Sequence, residues 1–210
     1  SNILLSQTDN LIYPEEKNFK SLRQITFGGD NAETYWNNDD TKLVFQSNNS
    51  NWGVGCDQIF IIDKSEDLSN KKPKMISTGK GRTTCAYFMP DGNHIIYAST
   101  HLGNPECPES PLRFDGKYVW PIYETYDIFV SDLEGNITKQ LTSEIGYDAE
   151  ATVSPKGDKI VFTSMRTGDL ELFTMDIDGS NVKQITNELG YDGGAFFSPD
   201  GSKIIFRASR

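Results

Sequence analysis

The 210 residues carry 20 lysines and arginines against 30 aspartates and glutamates, a net charge of −10. So acidic a chain is a poor partner for nucleic-acid phosphates or an anionic lipid surface, and no apolar run approaches the ~20 residues of a membrane span. With 36% hydrophobic and 11% aromatic residues it has the material for a packed core, and its three cysteines allow at most one internal disulfide.

Residues 1–19 show no repeat character and read as a lead-in. From Lys20 a four-strand grammar takes over. A lone outer strand is expected at Leu22–Thr26, followed by three complete units over about 32–78, 84–142 and 149–186, and a partial unit over 193–210. Each unit opens with an inner strand: Ala32–Asn37, Thr84–Met89, Ala149–Ser154 and Gly193–Ser198. In the last three units a turn of the type Pro90-Asp91-Gly92 follows, because Pro presets φ and Gly accepts φ > 0. A second strand then starts at Lys42, His94, Lys159 or Lys203, and a third at Gln58, Asp127 or Glu171. The outer strands of the complete units are expected at Lys74–Thr78, Ile137–Thr142 and Val182–Thr186. Period-two patterning rich in β-branched and aromatic residues supports strands throughout.

Ser154 and Ser198 occupy equivalent places 44 residues apart, a spacing that in an all-strand chain marks a β-propeller blade. The fold class is therefore all-β, a β-propeller of four-stranded antiparallel blades. Propellers usually have about 4–8 blades, and three blades plus a broken one make a poor closed ring. The expectation is a segment of a larger propeller, with Asn2–Ser6 as the stretch that could supply a further strand.

The run SPDGSKIIF from Ser198, the third-strand pattern Asp/Glu/Gln-Ile/Leu-Phe and the link MDIDGSNVKQIT from Met175 resemble the WD-like, Pro-Asp repeats of the TolB-like propellers of bacterial periplasmic and secreted proteins. The resemblance covers about residues 20–210. It implies a periplasmic or extracellular setting and a non-catalytic interaction module that binds a protein or peptide, or else a glycan. Propellers attached to serine peptidases belong to the same family. The alternative it implies is therefore the propeller portion of a larger enzyme, of serine peptidase or lyase type, gating access to a site outside these residues. Residues 100–124 form an insertion foreign to the basic repeat, and no stretch matches the α/β domain of TolB, so binding of Pal is not carried over.

An antiparallel meander sends the loops entering the inner strands, and those joining second to third strands, to one face. These loops are long and varied, whereas the turns of the opposite face are short. Alignment of the entering loops puts Asn31, Thr83, Asp148 and Asp192 at one position, and Glu33, Cys85, Glu150 and Gly194 two residues on. Asn31, Glu33, Asp148, Glu150 and Asp192 could together rim the channel mouth and hold Ca²⁺, another divalent cation or a cationic ligand. The same side chains could equally cap loop amides. In the insertion, Trp120 and Tyr123, with Tyr118 beside them, could stack on a sugar or peptide, or form the insertion's own small core. Cys107 could join Cys56 in a disulfide. A metal could instead collect His101 with cysteines, or with Asp148 and Asp192. No Gly-x-Ser-x-Gly elbow or His-Glu-x-x-His pair is present, so no catalytic residue is assigned and a binding role is favoured over an enzyme.

Overall fold

The computed structural model describes residues 11–109, 115 and 119–209. Three four-stranded antiparallel sheets succeed one another. The first is β1 (Asp30–Trp36), β2 (Lys42–Asn48), β3 (Gln58–Asp63) and β4 (Lys74–Met75). The second is β5 (Thr83–Phe88), β6 (His94–Ser99), β7 (Asp127–Asp132) and β8 (Ile137–Gln140). The third is β9 (Asp148–Val153), β10 (Lys159–Ser164), β11 (Glu171–Asp176) and β12 (Lys183–Gln184). A hairpin of β13 (Tyr191–Phe197) and β14 (Ile204–Ser209) completes the described residues. In each sheet the strands are ordered as they occur in the chain, so every connection is between neighbours.

The turns after the inner strands close as their sequence dictates. The Gly92, Gly157 and Gly201 amides donate to the Met89, Ser154 and Ser198 carbonyls at 3.0, 2.9 and 2.8 Å. All three glycines have φ near +70°, open to them without a β-carbon clash.

The sheets stack face to face, and the core lies between them. Val44, Ile59 and Ile61 meet Ala86, Phe88, Ile95 and Phe129 across the first interface. Ile96, Ile128 and Val130 meet Ala151, Val153, Ile160 and Phe162 across the second. Ala195 packs on Val161 and Leu172 at the hairpin. A sandwiched sheet is dry on both faces, which explains why Ile160–Ser164 are all buried instead of alternating in and out.

The outer strands are shorter than expected, and residues 22–26 carry no strand. The expected strand at Asn2–Ser6 lies outside the described residues. The shortening has a repeated cause. The ladder runs on through Ile76, Leu141 and Ile185, whose amides donate to the Ile59, Ile128 and Leu172 carbonyls at 2.9, 2.8 and 2.7 Å. At the next residue a hydroxyl replaces the backbone: Ser77, Thr142 and Thr186 Oγ accept the Ile59, Ile128 and Leu172 amides, each at 2.9 Å. The Ser77 and Thr186 hydroxyls then donate to Gln58 Oε1 at 2.7 Å and Glu171 Oε2 at 2.5 Å. Thr186→Val would leave a strand amide and a buried carboxylate without this partner. It is expected to lower stability by about 1–3 kcal/mol in urea unfolding; an unchanged midpoint would show the hydroxyl relay to be incidental.

Candidate functional site

Each inner strand is broken at the same place. The pairing register slips between Ala32 and Tyr35, Thr84 and Tyr87, Ala149 and Thr152, and Gly193 and Phe196. Inside each bulge one residue takes a left-handed backbone: Glu33 (φ 50°), Cys85 (53°), Glu150 (58°) and Gly194 (58°). Three of the four are not glycine, so the surroundings must hold the conformation in place. A bulge re-aims a side chain out of the pleat, and here it turns these residues toward the axis around which the sheets gather.

Glu150 shows what holds the bulges. Its Oε2 accepts the Gly194 amide at 2.7 Å, the Tyr191 hydroxyl at 2.8 Å and the Thr163 hydroxyl at 3.0 Å. The Tyr147 hydroxyl reaches Oε1 at 3.5 Å. One carboxylate thus ties the third sheet to the hairpin. Gln46 does similar work between the first and second sheets, its Oε1 accepting the Cys85 amide at 3.0 Å and the Thr84 hydroxyl at 2.9 Å. The pair Gly193-Gly194 follows from this arrangement. A β-carbon on Gly193 would collide with Glu150 Oε2 and the Tyr191 hydroxyl, and Gly194 supplies the left-handed turn.

Two residues beyond the bulges, Tyr35, Tyr87 and Phe196 form an aromatic collar, with ring centroids 5.4, 5.7 and 6.1 Å apart. The Tyr35 hydroxyl donates to Glu33 Oε2 at 2.8 Å, and burial, reinforced by that carboxylate, pushes the phenol's pKa well up. Burial, then Glu150 and Glu33, raises the Cys85 thiol likewise. A thiol kept neutral is a poor nucleophile.

The other aligned position behaves differently. Thr83, Asp148 and Asp192 are buried and do not rim an open mouth; Asn31 is exposed. Asp148 accepts Arg166 Nη2 at 2.9 Å, while Arg166 Nε donates to Ser164 Oγ at 2.8 Å. Its pKa is raised by burial, against the pull of Ser164 and Arg166. Asn31 accepts the Ser47 hydroxyl at 2.9 Å and donates to the Gly28 carbonyl at 3.1 Å. His101 hydrogen-bonds Ser99 Oγ through Nδ1 at 2.9 Å, in the slot that Arg166 fills after Ser164. Among the described residues no three His, Cys, Asp or Glu side chains converge to hold a metal. The expected set of His101, Asp148 and Asp192 is not such a group here: His101 bonds Ser99, Asp148 pairs with Arg166, and Asp192 is buried in β13. A sequence signal for this existed in the recurring Ser47-x-Asn49, Ser99-x-His101 and Ser164-x-Arg166.

The loops gather on one face. Cys56 and Cys107 are joined in a disulfide with Cα atoms 6.0 Å apart, and the Gly81 amide donates to the Pro105 carbonyl at 2.7 Å. At the other end of the insertion Trp120 meets Tyr191 edge-on at 5.6 Å. Tyr123 packs on Tyr126 at 5.9 Å and donates to the Glu109 carbonyl at 2.5 Å. Tyr123 therefore packs on the cluster of Ala98, Tyr126, Tyr147, Ala149 and Leu170 between the second and third sheets, not on a core of the insertion's own, whereas Trp120 lines the mouth. Tyr118 lies outside the described residues. Trp36 is 48% exposed at the end of β1. Glu33, Cys85, Trp120, Tyr126, Tyr147 and Arg207 line a cleft of about 360 Å³ above the collar. It adjoins a larger one of about 780 Å³ bordered by Asn31, Asp57, Arg82 and Trp120, where Asp57 and Arg82 pair at 3.5 Å.

A family model described as the TolB beta propeller domain matches residues 122–210. A solved structure from Agrobacterium tumefaciens described as TolB superposes with a TM-score of 0.66 at 20% identity, covering 90% of this chain and 59% of its own. The chain folds as a TolB-like β-propeller. TolB from Acinetobacter baumannii gives a TM-score of 0.60 at 22% identity, covering 85% of this chain and 37% of its own. A chain of a nidogen/laminin complex gives 0.56 at 13% identity, covering 83% and 55%. This propeller thus spans about three fifths of the length of the Agrobacterium structure.

Two measurements check the electrostatics of the propeller mouth. Glu150→Ala removes the acceptor shared by two blades and is expected to cost about 2–4 kcal/mol in denaturant unfolding. Glu150→Gly should cost about 1 kcal/mol less, since glycine accepts the left-handed backbone; equal losses would mean the bulge carries no strain. Asp127 lies near Asp148, and burial followed by that second carboxylate raises its pKa to about 6. An acid whose pKa is higher folded than unfolded (about 3.9) binds more protons in the native state. Stability contributed by this group therefore falls as pH rises from about 4 to 6 and is level above. Asp127→Asn should flatten that slope, and parallel curves for the two proteins would refute it.

Proposed function

We propose that this propeller is a non-catalytic binding module of the bacterial cell envelope, docking a protein or peptide partner on its loop-rich face. The observation that carries the reading is the asymmetry of the two faces. One is made of short turns, save for residues 64–73 between β3 and β4. The other gathers a disulfide-pinned insertion, adjoining clefts and exposed apolar groups, Trp120 among them, on a rigid stack of sheets. Varied loops on a repeated framework are where recognition concentrates. A disulfide joining two loops suits an oxidising compartment such as the periplasm, in keeping with the TolB-like repeats. No helix among the described residues is long and apolar enough to cross a membrane.

The test is selection of a peptide-display library on the immobilised protein, followed by hydrogen exchange with and without the enriched peptide. Protection is expected in residues 27–31, 79–83, 143–148 and 187–192. Protection confined to the Pro-Asp-Gly turns, or binding only to a glycan array, would overturn the reading.

A further inference from the structure

The third and fourth inner strands are entered by nearly the same words, Glu144-Ile-Gly-Tyr-Asp148 and Glu188-Leu-Gly-Tyr-Asp192. Three of the five positions have work inside the fold. Gly146 and Gly190 take φ of 128° and 126°. Tyr147 and Tyr191 pack in one cluster, and both reach the Glu150 carboxylate. Asp148 and Asp192 are buried. The remaining two positions point outward in both loops. Ile145 is 89% exposed and Leu189 87%, and the glutamates before them are exposed too.

A single exposed aliphatic needs no explanation. The same one, twice, at equivalent tips of adjacent blades and each behind an acid, calls for one. The tips are held firmly. The Gly146 amide donates to the Glu124 carbonyl at 3.2 Å and the Met165 amide to the Tyr147 carbonyl at 2.9 Å. The Gly190 amide donates to Asp169 Oδ2 at 2.7 Å and the Asp192 amide to the Leu170 carbonyl at 2.9 Å. An apolar group on a pinned loop loses little entropy when it is covered. In this sector Arg166 is already engaged by Asp148 and lies over the Phe162 and Phe173 rings at 5.2 and 5.1 Å. Arg207 lies over the Tyr191 ring at 5.3 Å and bonds its hydroxyl at 3.2 Å, so the charge at the tips themselves is that of the exposed Glu124, Glu144 and Glu188.

Resting on the binding role above, we propose that Ile145 and Leu189, flanked by Glu144 and Glu188, form the anchor of the docking surface. Its occupant is a protein or peptide segment whose apolar side chains are bordered by lysine or arginine. The apolar tips supply contact area, and the glutamates select the partner by charge and steer its approach.

The decisive experiment pans one peptide-display library against the wild type, Ile145→Ser/Leu189→Ser and Glu144→Lys/Glu188→Lys, each first checked for an unchanged Tm. Wild type is expected to enrich peptides combining apolar residues with Lys or Arg. In fluorescence anisotropy those peptides should bind the serine variant at least tenfold more weakly, and the lysine variant should enrich acidic peptides instead. Equal binding by all three proteins would overturn this anchor while leaving the docking role in place. No enrichment on any of them, or a signal only from a glycan array that the variants retain, would remove both. Should the serine variant lose its fold, the lysine variant decides, because its changes are confined to exposed charge.

Discussion

The mouth of this propeller depends on one carboxylate placed where a regular strand would not put it. Glu150 reaches the neighbouring hairpin only because β9 bulges and its backbone turns left-handed at that residue. Its oxygens then collect an amide and three hydroxyls from two blades. A left-handed glutamate costs about 1–2 kcal/mol in backbone terms, and hydrogen bonds to a charged acceptor are worth about as much each. The bulge and the network therefore stabilise one another. The same bulge recurs in all four inner strands, so the channel is lined by residues lifted out of the pleat, with an aromatic collar beneath them.

A second device repeats around the outside. Where each outer strand leaves the ladder, a Ser or Thr hydroxyl takes over the last hydrogen bond, and in the first and third sheets it donates its own to the side chain that opens the third strand, over 2.7 and 2.5 Å. Short outer strands then cost little, because the amide they would have paired is satisfied in another way. With the outer edge satisfied in this way, the sheets tolerate connections of very unequal length. That freedom lets residues 100–124 leave the second sheet, bond to Cys56 of the first and rest Trp120 on Tyr191 of the hairpin.

The acids near the mouth therefore divide into two kinds. Asp148 and Glu150 are engaged in structure, the one by Arg166 and the other by tyrosines and the Gly194 amide, and Asp192 is buried in β13. Glu33 opens on the cleft and accepts the Tyr35 hydroxyl at 2.8 Å, while Glu144 and Glu188 face solvent. On the binding role proposed above, recognition on this face would rest more on the shape of the rigid loops than on a cage of ligating oxygens, with charge as a surround favouring basic partners.

Much of this was legible in the sequence. The 44-residue recurrence, the Pro-Asp-Gly turns and the strand patterning specify a four-stranded meander, because each is a local requirement of backbone conformation or burial. The topology that follows puts Cys56 and Cys107 on one face. What the sequence did not reveal is which way the residues at the mouth point. A bulge shifts the register by one residue, and a one-residue shift moves a side chain to the other side of the sheet. Asp148 and Glu150 look alike in the alignment, yet one ends beneath an arginine and the other bridges two blades. Nor does the sequence show that His101, a possible metal ligand by its chemistry, bonds Ser99 through Nδ1. Local chemistry chose the strands; contacts between residues more than 40 positions apart, such as Glu150 with Tyr191 and Gly194, chose the site.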